Sequence, residues 1–395
     1  MVETVDSREK ILPGSDPRLK PLLLLILLGI IVSIGVHLVR GNGITNRPHD
    51  GQQWALMLEH LREGTISDLK AMPRNDDLAH EMLSRFLRPV YVLSGWVFSW
   101  VGNDREALYL ASVAYYLAGV CLLYLIVFHL FSSVQAAFLA GLAYLSNFVT
   151  LNYGLSVLSD GGGYFMFFLS AYVALRYFQG KERIGLLPVL LNGLICGIGY
   201  LMKESVIVAA VFSGLLLILS KERWSRKAGF CLLMTGVFFL PVFLWQVLSY
   251  RLIGYTSLQF LSYHVHSNAT YHKFTVTRFG IAMFSAINLL FIPAVFEWIA
   301  EKKSRLLSGL LLFSGLFLLL VSRTMIDRFA FYLFPAFVIP ASSWAVREWP
   351  RRKTWTVLFL TLYILLNLAL FAAYNNDACY RWAAHFFHLR INLDF

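Results

Sequence analysis

Apolar residues in this chain do not alternate with polar ones; they run on. Eleven stretches are almost uninterruptedly apolar: 21–39, 106–130, 134–150, 161–178, 184–202, 205–220, 228–250, 279–300, 306–322, 329–346 and 354–374. A helix needs about 20 apolar residues to cross a bilayer, whereas half-buried strands would show a period of two. The pattern predicts an all-α, polytopic helical membrane protein with about 11 transmembrane helices, forming a single integral membrane domain over 1–395. Two segments between the runs are long enough to hold structure of their own, 41–104 and 251–278. In the first, Trp54, Leu56, Met57, Leu58 and Leu61 fall on the face of a short amphipathic helix. The apolar stretch 89–101 is too short to span and reads as interfacial or re-entrant, with Tyr91, Trp96, Phe98 and Trp100 suited to a lipid–water boundary.

Composition narrows the class. Hydrophobic residues make up 58% of the 395 and charged residues only 14%, against about 25% charged in a soluble domain. That excludes a soluble globular enzyme and a disordered chain alike. The net charge of +11 would suggest a nucleic-acid partner in a soluble protein. Here 18 of the 34 Lys and Arg fall in 1–20, 131–133, 176–183, 221–227, 301–305 and 347–353, at every second loop. The positive-inside rule places those loops in the cytoplasm. The expected topology is a cytoplasmic tail at 1–20, a first external loop at 41–104, a second at 251–278 and an external C-terminal tail at 375–395. The first run is too long for a signal-peptide core and no small-residue cleavage site follows it, so it reads as a retained helix. Short loops favour a bacterial inner (plasma) membrane. Cys121, Cys196 and Cys231 lie in apolar runs and Cys379 outside them, which gives neither a disulfide framework nor a CxxC site.

The candidate chemistry sits at the external helix ends, where ionisable residues near lipid are costly and tend to be functional. His49-Asp50 offers a general base for an acceptor hydroxyl, or a helix cap facing Gln52 or Gln53. In the run Ser159 to Gly163, Ser159 or Asp160 would cap a helix and the glycines permit close backbone approach; the other reading is an anion or sugar contact at a helix N-terminus. Lys203-Glu204 interrupts a long apolar stretch. It is either an ordinary tight turn or a cation at membrane depth suited to a lipid phosphate. Arg323 and Arg328 flank Asp327; either one arginine binds phosphate while Asp327 orients the other, or the three form local ion pairs. His264, His266 and His272 come without a carboxylate and no metal site is assigned to them. Asn268-Ala269-Thr270 matches a glycosylation sequon.

Five stretches together resemble the GT-C superfamily of membrane glycosyltransferases. They are HDGQQW after the first run, RPVYVLSGWVFSWVG, LSDGGGYFMFFLSAYVALRYF, GIGYLMKESVIVAAVF and RFAFYLFPAFVIPAS, in the family's order across about 49–342. The branch most similar is that of the protein mannosyltransferases and the lipid A aminoarabinose transferase. The resemblance implies a polyprenyl-phosphate-sugar donor and inverting transfer to a hydroxyl of a lipid, glycan or protein acceptor on the external face. It makes Asp50 the general base and Lys203 and Arg328 the partners of the donor phosphate. Asp160 is implied at the sugar or acceptor. His49, Gln52, Glu204, Arg323, Asp327 and Tyr332 are further candidates for substrate contact. The chain departs from the family in carrying one acid beside His49 rather than an acidic pair. No cofactor is called for; a divalent cation held by His49, Asp50 and Asp160 stays open. Two other classes compete: a transporter or lipid flippase, and a non-catalytic subunit of an envelope assembly. Charges gathered at one side, without an internal repeat, favour the enzyme over the transporter.

Overall fold

Each long apolar run folds as a helix, because in lipid every backbone polar group must be satisfied within its own segment. The structure, a computed structural model, describes residues 17–40, 48–72, 77–260, 262, 276–322 and 327–375; for 48–50, 77–78, 276–278, 303, 319–322 and 327 it describes the backbone only. The helices are α1 (Leu19–Arg40), α2 (Pro48–Glu63), α3 (Asp77–Phe86), α4 (Pro89–Phe98), α5 (Asp104–Phe131), α6 (Val134–Ser146), α7 (Asp160–Tyr177) and α8 (Leu186–Met202). There follow α9 (Ile207–Leu219), α10 (Trp224–Ile253), α11 (Val276–Ile287), α12 (Phe291–Ala300), α13 (Lys302–Ser322), α14 (Asp327–Ala330) and α15 (Phe334–Tyr374). No strand occurs among the described residues. Five segments are long and apolar enough to cross a membrane by length and composition: Leu19–Arg40, Asp104–Phe131, Trp224–Ile253, Phe279–Ala300 and Arg328–Tyr374. Several shorter apolar helices pack among them, α4, α6, α8 and α9 included.

Four runs fold differently from the sequence reading. The run 134–150 ends as a helix at Ser146, where Asn147 turns extended (ψ 131°) and a π-turn over Thr150–Gly154 follows. Asn147 supplies the reason: its Oδ1 accepts from the Val149 amide at 2.9 Å while its amide donates to the Ala286 carbonyl at 2.8 Å. A side chain that bonds its own backbone offers an alternative to the helix. The run 279–300 is broken at Asn288, which has φ 34°. The runs 329–346 and 354–374 join into α15, where Arg352 alone leaves helical angles (φ −138°, ψ 39°) two residues after Pro350. A proline removes a helix hydrogen bond and crowds the preceding turn, which is enough to kink a helix without ending it.

α5 is the central helix, packed by α1, α4, α6 and α7. Its start is written in the sequence as a capping box. Asn103 Oδ1 accepts from the Glu106 amide at 3.0 Å, and Glu106 Oε2 accepts from the Asn103 amide at 3.2 Å. α8 lies against α10 through Gly193 and Gly197. A Cβ on either would sit 2.7 Å from the Met234 carbonyl oxygen or 2.5 Å from that of Phe238. Small residues four apart let two helix backbones approach this closely in lipid. At the end of α1, the Arg40 guanidinium reaches into the 151–156 segment and ties α1 to the π-turn. Beneath the heads of α7 and α15 a layer of rings is buried, including Tyr144, Tyr164, Phe168, Phe331 and Phe334, with Tyr164 and Phe331 4.1 Å apart by centroid. It forms a dry floor for what lies at that end.

Candidate active site

Asp160 opens α7 with its side chain only 3% exposed. A lone buried carboxylate would be strongly penalised, and here two cations from other helices answer it. Lys203 leaves the end of α8 in an extended conformation (φ −158°, ψ 124°), and its Nζ lies 3.4 Å from Asp160 Oδ1. Arg328, in α14, places Nη1 3.5 Å from Asp160 Oδ2. Lys203 is as buried as Asp160, and the Arg328 side chain is 16% exposed. Tight charge-assisted pairs close to about 2.7–2.9 Å, so both contacts are loose. Two cations thus face one carboxylate in a poorly solvated place.

The neighbouring pair is built differently. Arg88 precedes Pro89 at the head of α4, and its Nε and Nη2 grip Glu204 Oε2 and Oε1 at 2.7 and 2.9 Å. This bidentate clamp fixes the Lys203 turn to α4, and the Glu204 charge still acts on Lys203. Burial pushes the Lys203 ammonium down to about 8, with Arg328 adding to that effect and Asp160 opposing it.

The glycines at the head of α7 explain why these groups can meet. A Cβ at Gly161 would lie 2.6 Å from the Gly154 carbonyl oxygen, and one at Gly162 would lie 2.5 Å from Met202 Sδ. At Gly163 it would meet Tyr332 Oη at 2.9 Å and Lys203 Cβ at 3.0 Å. The capping expectation at this run fails. Ser159 occupies the cap position without a side-chain cap bond, and Asp160 faces the two cations. Ser159 Oγ is buried and, among the described residues, has no hydrogen-bond partner.

Of the other candidates, Tyr332 is buried with its hydroxyl 2.8 Å from Ser205 Oγ, and Tyr164 donates to the Arg328 carbonyl at 3.0 Å. Gln52 is exposed. It is Gln53 that is buried, donating to Glu81 Oε2 at 2.9 Å and accepting from Arg85 Nε and Nη2 at 3.1 and 2.9 Å. With Trp54 edge-on to Tyr91 at 4.9 Å, that network anchors α2 to α3 and α4. Asp50 and His49 lie in the first turn of α2, but their side chains, that of Asp327, and the whole of Arg323, His264, His266, His272 and Asn268 fall outside the described residues. The sequence reading missed Arg88, Ser205 and Tyr164. A charge set against a proline at the start of an apolar stretch was the available signal for Arg88.

Comparison with known proteins now adds to this geometry. The family model described as dolichyl-phosphate-mannose-protein mannosyltransferase matches residues 89–245, a stretch that takes in Asp160, Lys203 and Glu204. Among solved structures, the crystal structure of ArnT from Cupriavidus metallidurans in the apo state aligns with a TM-score of 0.64 at 14% identity, covering 87% of this chain and 63% of that one. The chain has the fold of the GT-C membrane glycosyltransferases. No curated protein matches it in sequence. This chain spans somewhat under two thirds of the length of the solved GT-C structure. Asp50 and Arg328 stand outside the matched stretch, before and after it.

Proposed function

We propose that the chain is an inverting membrane glycosyltransferase. It moves a sugar from a polyprenyl-phosphate donor to a hydroxyl of a lipid, glycan or protein acceptor, at the external face of a bacterial inner membrane. The observation that carries this reading is the pair of cations, Lys203 and Arg328, converging on the single buried carboxylate of Asp160. In this reading Asp160 holds the two cations in place while the site is empty, and a lipid phosphate takes up the contacts they leave loose. The acceptor oxygen attacks the anomeric carbon from the face opposite the phosphate. Asp50 takes the hydroxyl proton, the bond from carbon to phosphate oxygen breaks, and the polyprenyl phosphate leaves with one more negative charge. Lys203 and Arg328 stabilise that developing charge, the kind of contact whose removal costs about 10²–10³ in rate. Ser159, buried and without a hydrogen-bond partner among the described residues, adds a donor to the same leaving group. The family match over 89–245 supports the reaction class, and the cationic site supports a phosphate as leaving group.

The test uses purified full-length protein with radiolabelled polyprenyl-phosphate sugars and a membrane lipid extract. Wild type transfers label with inversion at the anomeric carbon, and Asp50→Asn loses about 10²–10⁴ of the rate, the range for a general base. Equal transfer by both proteins removes Asp50 from the chemistry. Binding of the donor lipid without transfer to any acceptor in the extract overturns the enzyme in favour of a lipid transporter.

A further inference from the structure

At the other end of the bundle, remote from Asp160, a cavity of about 560 Å³ opens between α5, α7, α9 and α13. It falls within the range of about 300–1,000 Å³ typical of small-ligand sites. Its walls are leucines from all four helices, among them Leu175, Leu216 and Leu310. Its rim is cationic: His129, Arg176 and Lys181 border it, Arg176 and Lys181 are exposed, and no Asp or Glu is among its lining residues. The Arg176 guanidinium donates to the Tyr172 hydroxyl at 3.1 Å, which leaves most of its five N–H groups for a ligand.

The helix dipoles here oppose an anion. α5, α7 and α9 end at this cavity and α13 begins beside it. Each terminus carries roughly half a charge, so the helices sum to about one negative charge against two permanent cations plus His129. The site stays net positive. Its leucine walls would be badly matched to a free inorganic anion, and its basic rim to a neutral lipid. An acyl chain against the leucines with a phosphate at Arg176 and Lys181 satisfies both.

We propose that this cavity is a resident site for an anionic glycerophospholipid, drawn from the leaflet on the side of the basic loops and separate from the Asp160 site. The geometry is that of basic pockets between membrane helices that hold anionic headgroups. The site stands independently of the transfer reaction proposed above.

The experiment is native mass spectrometry of the full chain released from nanodiscs of equimolar phosphatidylglycerol and phosphatidylcholine, with the variants Arg176→Ala/Lys181→Ala and Leu310→Trp. Wild type retains phosphatidylglycerol at least fivefold over phosphatidylcholine. The double variant loses that preference, and Leu310→Trp, which fills the cavity and leaves the rim intact, loses the bound lipid. A matched melting curve confirms that each variant is folded; if the double variant is not, Leu310→Trp alone decides. Equal retention of the two lipids, unchanged retention in Leu310→Trp, or displacement of phosphatidylglycerol by an equimolar polyprenyl phosphate would overturn the proposal.

Discussion

Of the buried cationic clusters described above, those around Arg40 and around Asp160 are built in opposite ways. Arg40 is saturated. Its Nη1 donates to the Leu155 carbonyl at 2.8 Å and Ser156 Oγ at 2.9 Å. Its Nη2 donates to the carbonyls of Leu151 and Asn152 at 3.1 and 3.0 Å, and to Asn152 Oδ1 at 3.2 Å. Its Nε reaches Asn375 Oδ1 at 3.4 Å, and the guanidinium plane lies 5.2 Å from the Phe371 ring. Every acceptor is neutral and half are backbone carbonyls, so the cation works as a rivet between α1, the 151–156 segment and the end of α15. Lys203 and Arg328, by contrast, share one carboxylate at 3.4 and 3.5 Å. The first arrangement has spent its donors on the fold. The second sets its two cations against a buried carboxylate, at distances longer than a tight ion pair. The charge and closeness of the partners, more than burial, separate the two arrangements.

The largest effect that tests this contrast is at Arg40. Replacing it by Ala strands several carbonyls and is expected to cost about 3–5 kcal/mol, the range for breaking a buried charged group's partners. A thermal melt in detergent reads the loss, while transfer per folded molecule stays close to wild type. Next comes Lys203→Met, with the reverse profile. The transfer rate falls about 10²–10³-fold and the melting temperature barely moves; a large melting shift would make Lys203 a second rivet.

The pH dependence is smaller and specific to Lys203. Its folded-state value is pushed down to about 8, from a usual 10.5, by burial first and Arg328 second. The ammonium is therefore present below about pH 8 and lost above it, and donor binding is expected to fall about tenfold per pH unit there. The stability sign runs the other way. Because folding lowers this group's affinity for its proton, the protonated lysine opposes folding, and that opposition fades as pH rises from about 8 towards the unfolded value. The binding limb disappears in Lys203→Met and moves upward in Lys203→Arg, which a titration of donor affinity in both variants checks. The smallest effect is that of Glu204→Gln. It loosens a partly exposed clamp from Arg88, and is expected to lower turnover about threefold to tenfold with little change in donor affinity, measured as kcat against KM.

The membrane helices were largely readable because each is a continuous apolar run, and most run boundaries lie within four residues of the helix ends. What periodicity could not supply were the breaks within runs, since Asn147 and Asn288 are ordinary polar residues whose effect comes from where their side chains bond. The site was half legible. Asp160, Lys203 and Arg328 stand out in sequence as charges in apolar surroundings, and they converge. Arg88 escaped because its partner Glu204 is 116 residues away, and no local pattern announces such a pair. Arg40 carried a misleading signal in reverse, as an unremarkable basic residue at a helix end whose role is set by carbonyls more than a hundred positions on.

The glycine triplet that heads α7 also shapes how this protein can vary. Each position is matched to one particular neighbour: Gly161 to the Gly154 carbonyl, Gly162 to the Met202 thioether, and Gly163 to Tyr332 and Lys203. A side chain at 161 meets backbone, whereas one at 162 requires the Met202 side chain to move or shrink, and one at 163 requires Tyr332 to give way. Drift at this corner is therefore eased by paired exchanges, and a laboratory selection for altered donor use is expected to enrich double substitutions at 162/202 and 163/332.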